Sequence, residues 1–196
     1  PGATTWGVVE TVPDPKQMYG YRFYPDKIKG EGFFIACMRK KATVKEQTPK
    51  PEKLVKASKQ EQNAVIPYLA DPEQFELLRS GGEVTVLKKA DAEALAVLFP
   101  ALYIKKVGTR AGRVVREELI PAHDLALSTI VTLNLEAIAA SGETVLDYLR
   151  KKDIPAGNAA RGWNVVRFMG YNVGWVKVLS NRVNNYYPPA FRILKR

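Results

Sequence analysis

Within sixteen positions near the end of this 196-residue chain, Lys177, Arg182, Asn184, Asn185, Tyr186, Tyr187 and Arg192 interleave cations, amides and aromatics. Cations neutralise phosphates, amides hydrogen-bond base edges, and tyrosines stack on unpaired bases, so the chemistry this pattern suits is RNA binding. A structural account competes with it. Trp163, Trp175 and at least one tyrosine would then be core, and Asn185 would bond backbone groups in a turn. Both tryptophans are read as core, and Lys177, Arg182 and Arg192 as RNA contacts. Asn184 and Tyr187 complete the candidate set, and for Asn185 both readings stand. Upstream, His123 is a further RNA-contact candidate that could reach a phosphate or a flipped base. Its plainer role is in the first turn of a short helix, where Asp124 is favoured by the helix dipole.

Residues able to catalyse are scarce. A nucleophilic cysteine needs a lowered pKa and access to substrate. The single cysteine, Cys37, is flanked by Phe34, Ile35, Ala36 and Met38, which points to a packed, inert thiol. One cysteine excludes an internal disulfide, and one histidine beside it leaves too few soft ligands for zinc, so no metal site is expected. Gly30-Glu31-Gly32 leads into a strand and not a helix, so it lacks the helix N-terminus that binds a nucleotide phosphate and reads as a turn or bulge.

Charge says more. The net charge is +10, with a calculated pI near 9.6. Residues 101–196 hold 15 basic and 7 acidic side chains, whereas residues 61–100 hold 3 and 7. The basic excess calls for a polyanionic partner, and the acidic middle would space or brace its neighbours. With neither a long apolar span nor a basic amphipathic helix, nucleic acid is preferred to membrane. No signal peptide opens the chain, and a cytoplasmic protein is expected.

The elements that must position these residues read as follows. Strand-like runs occupy Trp6–Thr11, Tyr21–Tyr24 and Gly32–Met38, with a turn at Pro25-Asp26-Lys27. Residues 39–60 hold eight lysines and arginines and two prolines, a linker composition. Further on, Gly81-Gly82 turns into a strand at Glu83–Leu87. A helix capped by Asp91 runs to Phe99, and a strand follows at Leu102–Val107. Gly108–Gly112 reads as a turn, Arg113–Arg116 as a strand, and Pro121 as introducing a short helix over Ala122–Ser128. Ser141 caps a helix reaching Lys151. Strands at Trp163–Phe168, Asn172–Leu179 and around Arg192–Leu194 finish the chain, the first two joined by a hairpin turn at Met169-Gly170-Tyr171.

Two stretches resemble a known family. Tyr21-Arg22-Phe23-Tyr24-Pro25 with Gly30-Glu31-Gly32-Phe33-Phe34-Ile35-Ala36 resembles the closing hairpin of the methyltransferase domain in the NOP/Sun class of RNA cytosine-C5 methyltransferases. A longer series is similar to the PUA-like C-terminal domain of its RsmF branch. It runs through Pro121, His123, Leu125-Ala126-Leu127, Tyr148-Leu149-Arg150, Gly162-Trp163, Gly174-Trp175 and Lys177, then Asn184-Asn185-Tyr186-Tyr187-Pro188 and Arg192.

The resemblance implies an α+β chain. Residues 1–40 would be closing strands of a Rossmann-like methyltransferase sheet, 41–60 a basic linker, 61–107 a small αβ domain, and 108–196 a PUA-like mixed β-barrel that binds RNA. It implies that this chain positions small-subunit ribosomal RNA for a preceding domain that uses S-adenosylmethionine. The family's Pro-Cys nucleophile and glycine-rich cofactor turn have no counterpart here, so no cofactor is expected on the chain itself. The alternative is a protein–protein module docking onto the ribosome. The exposed N-terminal hairpin is expected either to self-associate with another copy or to fold back onto the later domains.

Overall fold

The computed structural model describes residues 4–12, 19–38 and 50–194, in two compact units, residues 1–47 and 48–196. The lysine-rich residues 39–49 and the final Lys195-Arg196 lie outside the described residues.

In the first unit, a single 3₁₀ turn (Thr4–Trp6) precedes β1 (Val9–Thr11), β2 (Gly20–Phe23) and β3 (Phe33–Ala36), an antiparallel sheet in the order β1-β2-β3. Trp6, expected to open a strand, lies in that turn instead. Among the described residues of this unit, one sheet of strands three or four residues long has no second layer, and Phe33, Phe34 and Ile35 stay 61%, 54% and 48% exposed. The same lack of cover corrects the reading of Cys37: it lies just past β3, outside any strand, and is exposed, not packed.

The second unit opens on a segment expected to be linker. Its described part instead runs along the edge of β4 (Phe75–Ser80). Ala57 N donates to Leu77 O and Arg79 N to Val55 O, and the Ala57 side chain is buried. These bonds satisfy an edge strand that would otherwise stand open. Ser58 then starts α1 (Lys59–Val65) with a capping box: Glu61 N donates to Ser58 Oγ (3.2 Å) and Ser58 N to the Glu61 carboxylate (2.8 Å). Such caps contribute about 1 kcal/mol.

From β4 the chain turns through Gly81-Gly82 into β5 (Glu83–Lys88) and directly into α2 (Lys89–Leu98). Asp91 sits inside the first turn of α2, and the cap position belongs to Lys88, whose side chain makes no capping bond. Residues 102–107, expected as a strand, form none. Sheet pairing resumes with β6 (Thr109–Val115) and β7 (Glu118–Pro121), giving an antiparallel sheet in the order β4-β5-β6-β7.

The glycines that suggested a turn at 108–112 serve this sheet. Gly112 pairs with both Val84 and Pro121 at φ +133°, and a Cβ there would collide with Ile120 O. Pro121 correspondingly ends β7 and is not helical. The short α3 (His123–Ala126) starts after Ala122.

The second sheet has the order β11-β10-β9-β8, from β8 (Ala137–Ala139), β9 (Gly162–Phe168), β10 (Tyr171–Val178) and β11 (Val183–Asn185). Between β8 and β9 lies α4 (Gly142–Leu149), capped as expected by Ser141, whose Oγ accepts from Thr144 N. Met169 and Gly170, both at positive φ, make the β9–β10 hairpin turn. The final strand expected near residue 193 is absent. Ile193 N instead donates to Leu149 O at the end of α4.

Both faces of the second sheet are covered. Val165 and Trp175 join Val84, Val86, Ala111, Leu119 and Leu125 in one core shared with the first sheet. Val166, Val176 and Val178 pack on the other side with Tyr148 of α4. The fold is therefore mixed α+β, and its main core spans residue 107–108, where the sequence suggested a boundary.

Candidate nucleic-acid interface

Strand register divides the sixteen-residue pattern. Successive side chains of a strand point to opposite faces, and directly paired residues share a face. The pairs Trp163↔Lys177 and Lys177↔Asn184 make one cross-strand row, and Asn164↔Val176 and Val176↔Asn185 make the next. Asn184 and Asn185, adjacent in sequence, thus belong to opposite faces.

The first row meets the rim of the other sheet. Lys177 Nζ forms an ion pair with Glu118 of β7 and lies 5.2 Å from the centre of the Trp163 ring. Trp163 Nε1 donates to the same carboxylate oxygen at 3.0 Å, and Tyr186 meets the Trp163 ring edge-on at 4.5 Å. Trp163 is half-buried against the main core, as expected, and Trp175 is fully buried. Lys177 is consequently a partnered cation, and its side chain is only 25% exposed.

The second row faces α4, and its polar atoms are spent on backbone. Asn185 Nδ2 donates to Tyr148 O (2.8 Å) and Lys152 O (3.2 Å), and its Oδ1 accepts from Tyr187 N (2.9 Å). Lys151, at φ +58°, sends its ammonium to the carbonyls of Asn185 (3.1 Å) and Tyr187 (2.8 Å). These bonds lace the end of the chain to the C-terminal turn of α4 and the residues just after it.

An aromatic group is held there. Tyr187 meets Tyr148 at 5.4 Å and His123 at 5.3 Å, both edge-on, and Phe191 lies 6.0 Å from His123. Tyr148 is fully buried and donates its hydroxyl to Trp175 O at 3.1 Å. Burial, with a smaller contribution from Tyr187, raises its pKa well above the usual phenol value. Gly174, at φ +156°, leaves the room this requires, since a Cβ there would collide with the Tyr148 hydroxyl. Burial also lowers the pKa of His123 against the opposite pull of Asp124, so its ring is neutral at pH 7. Its Nδ1 is buried without a hydrogen-bond partner among the described residues.

Free cations lie elsewhere. Arg182 occupies the exposed β10–β11 turn, which is closed by Leu179 N donating to Arg182 O, and Arg192 follows the 3₁₀ turn Pro189–Phe191. Neither has an ion-pair partner among the described residues, and the same holds for Arg161, which sequence reasoning passed over. Arg161 precedes Gly162, Gly162 pairs with Val178, and Val178 pairs with Val183, which follows Arg182. The two arginines therefore stand at one end of the sheet, two strand spacings or roughly 10 Å apart. They lie twenty-one positions apart in the chain, so only the register reveals the pair.

Residues 136–193 match the family model described as the Methyltransferase RsmF PUA domain. This segment is similar to the RsmF-type PUA domain. It takes in the whole second sheet, α4, and every candidate above except His123. The likeness continues beyond the PUA domain: the chain is 26% identical over 180 residues to a ribosomal RNA small subunit methyltransferase F of Shewanella sp. (strain MR-4). That alignment covers 84% of this chain and 37% of the relative, so the chain matches little more than a third of the relative's length.

Proposed function

We propose that this chain is the RNA-binding C-terminal region of an S-adenosylmethionine-dependent ribosomal RNA cytosine-C5 methyltransferase, and that it positions small-subunit RNA for methylation. The observation that carries the proposal is the pair of unpartnered arginines, Arg161 and Arg182, on a domain of the RsmF PUA type. Two cations at one sheet end can engage successive phosphates, and Arg192 adds a third contact. Lys177 and Asn184, one register row further in, flank the path the backbone would take. Binding energy gained here orients the substrate at a reacting centre elsewhere.

The methyl donor is assigned to that part of the relative's length which this chain does not match. The described strand-to-helix junctions do not fit it: β5 enters α2 through Lys88-Lys89, β7 enters α3 through Pro121-Ala122, and β8 enters α4 through Ala140-Ser141 with the single glycine Gly142, none of them the glycine-rich turn of a cofactor cradle. On this reading β1–β3 close the methyltransferase sheet. The exposed Phe33, Phe34 and Ile35 on edge strand β3 let copies of the isolated chain pair. Sedimentation of the chain with and without residues 1–40 checks this, and a concentration-independent monomer at full length overturns it.

The functional proposal is tested by titrating the chain with a structured fragment of small-subunit ribosomal RNA and with a scrambled RNA of equal length. Tighter binding of the ribosomal fragment, with log affinity falling linearly in log salt, is expected. Equal, salt-insensitive binding of both RNAs would overturn it.

A further inference from the structure

Outside residues 136–193, the first sheet and α2 enclose a cavity of about 510 Å³, within the range that holds small organic groups. Its floor is apolar, built on the cluster of Leu78, Leu87 and Leu95 with Ile104 and Val107 against it. Phe99, at the end of α2, lines the cavity and remains 45% exposed. The irregular course of residues 104–107 brings Lys105 and Lys106 to the rim.

The walls carry five cations (Lys53, Arg79, Lys105, Lys106, Arg110) against two carboxylates (Glu52, Asp124). Asp124 is already satisfied by Arg110 (3.2 Å) and Lys106 (3.0 Å). Lys53 and Lys105 are exposed and have no acidic partner among the described residues, and Lys105 lies 4.5 Å over the ring of Tyr103.

We infer that this cavity receives one unpaired nucleotide of the bound RNA, its base against Phe99 and the apolar floor and its phosphate at Lys53 and Lys105. The inference rests on the RNA-binding reading and deepens it. A nucleotide joins a flat, weakly polar ring to an anion at one end, which matches an apolar floor within walls that carry an excess of cations. An acidic peptide would satisfy the rim but leave the floor uncovered. Because the cavity lies on the first sheet and the free arginines on the second, RNA that reaches both is gripped by phosphate at one place and by an extruded base at the other.

The test uses the full chain and two RNA hairpins of one sequence, with and without a single bulged 2-aminopurine. The bulged RNA is expected to bind at least fivefold tighter, with its fluorescence quenched on binding by stacking. Phe99→Ala should remove the preference and the quenching while binding of the paired hairpin stays within twofold. Lys53→Ala with Lys105→Ala, both exposed and so harmless to folding, should reduce the preference as well. Equal affinity of the parent chain for both hairpins, or unchanged quenching in the Phe99 and lysine variants, would overturn the inference and leave the RNA-binding proposal standing. Failure to bind either hairpin would overturn both. Displacement of the bulged RNA by polyglutamate at equal charge would identify the cavity as a peptide site.

Discussion

The two neighbouring rows of the second sheet use the same residue types for opposite ends. In the row containing Asn185, every polar atom of the amide bonds backbone, and Lys151 does the same with its ammonium. One row over, Lys177 and Asn184 lie near the sheet end where Arg161 and Arg182 have no partners. A cation or an amide in a sequence pattern does not announce which it is. Register decides, because a shift of one residue exchanges the faces.

If the α4-facing row is structural, breaking it should cost stability and not selectivity. The largest effect is expected at Gly174. A Cβ there meets the Tyr148 hydroxyl at a φ that side chains rarely adopt, so Gly174→Ala should cost about 3 kcal/mol. That is a fall of roughly 6–12 °C in Tm for a domain of this size. Asn185→Ala takes the side-chain donor from Lys152 O, one of the donors from Tyr148 O and the acceptor from Tyr187 N, which should cost about 2 kcal/mol, or roughly 4–8 °C. In the folded variant, discrimination between ribosomal and scrambled RNA should persist. Loss of discrimination at unchanged Tm would return Asn185 to the RNA-reading set.

His123 sharpens the comparison through pH. Burial holds its folded pKa below the unfolded value, so below about pH 6.5 the unfolded chain binds more protons and stability falls as pH falls. The Tm of the parent should therefore drop more steeply between pH 7 and 5.5 than that of His123→Phe. Parallel profiles would mean that the ring takes up its proton without cost. The smallest effect is expected at Lys177. Removing one partner of an ion pair at the surface should change stability by less than about 1 kcal/mol and RNA affinity only slightly.

Much of this was legible in the sequence, and the failures share a cause. Ser141 announced α4 because an N-cap serine acts locally, and Met169-Gly170 announced its hairpin for the same reason. Leu102–Val107 has strand composition but finds no ladder, and its Ile104 and Val107 line the cavity instead. Strand β8 has three residues and pairs in parallel with a strand more than twenty positions away, which leaves no local trace. The candidate site was gathered by closeness in sequence. That brought in Arg182 and Arg192, which have no ion-pair partner among the described residues, merged Asn184 with Asn185, and passed over Arg161, whose neighbour is set by tertiary pairing. Lys151 was missed too, since nothing in Arg150-Lys151-Lys152 marks the middle lysine as the one whose ammonium bonds backbone carbonyls.

The central claim is that RNA is held by the arginines at the sheet end and not by the row facing α4. The most direct measurement is the salt dependence of RNA affinity for the parent chain and for the double variant Arg161→Ala, Arg182→Ala, with Tm recorded alongside. Two lost phosphate contacts should flatten the log–log slope by about 1.4 to 1.8 while Tm stays unchanged. An unaltered slope in the double variant, together with weakened RNA binding by folded Asn185→Ala, would contradict the account.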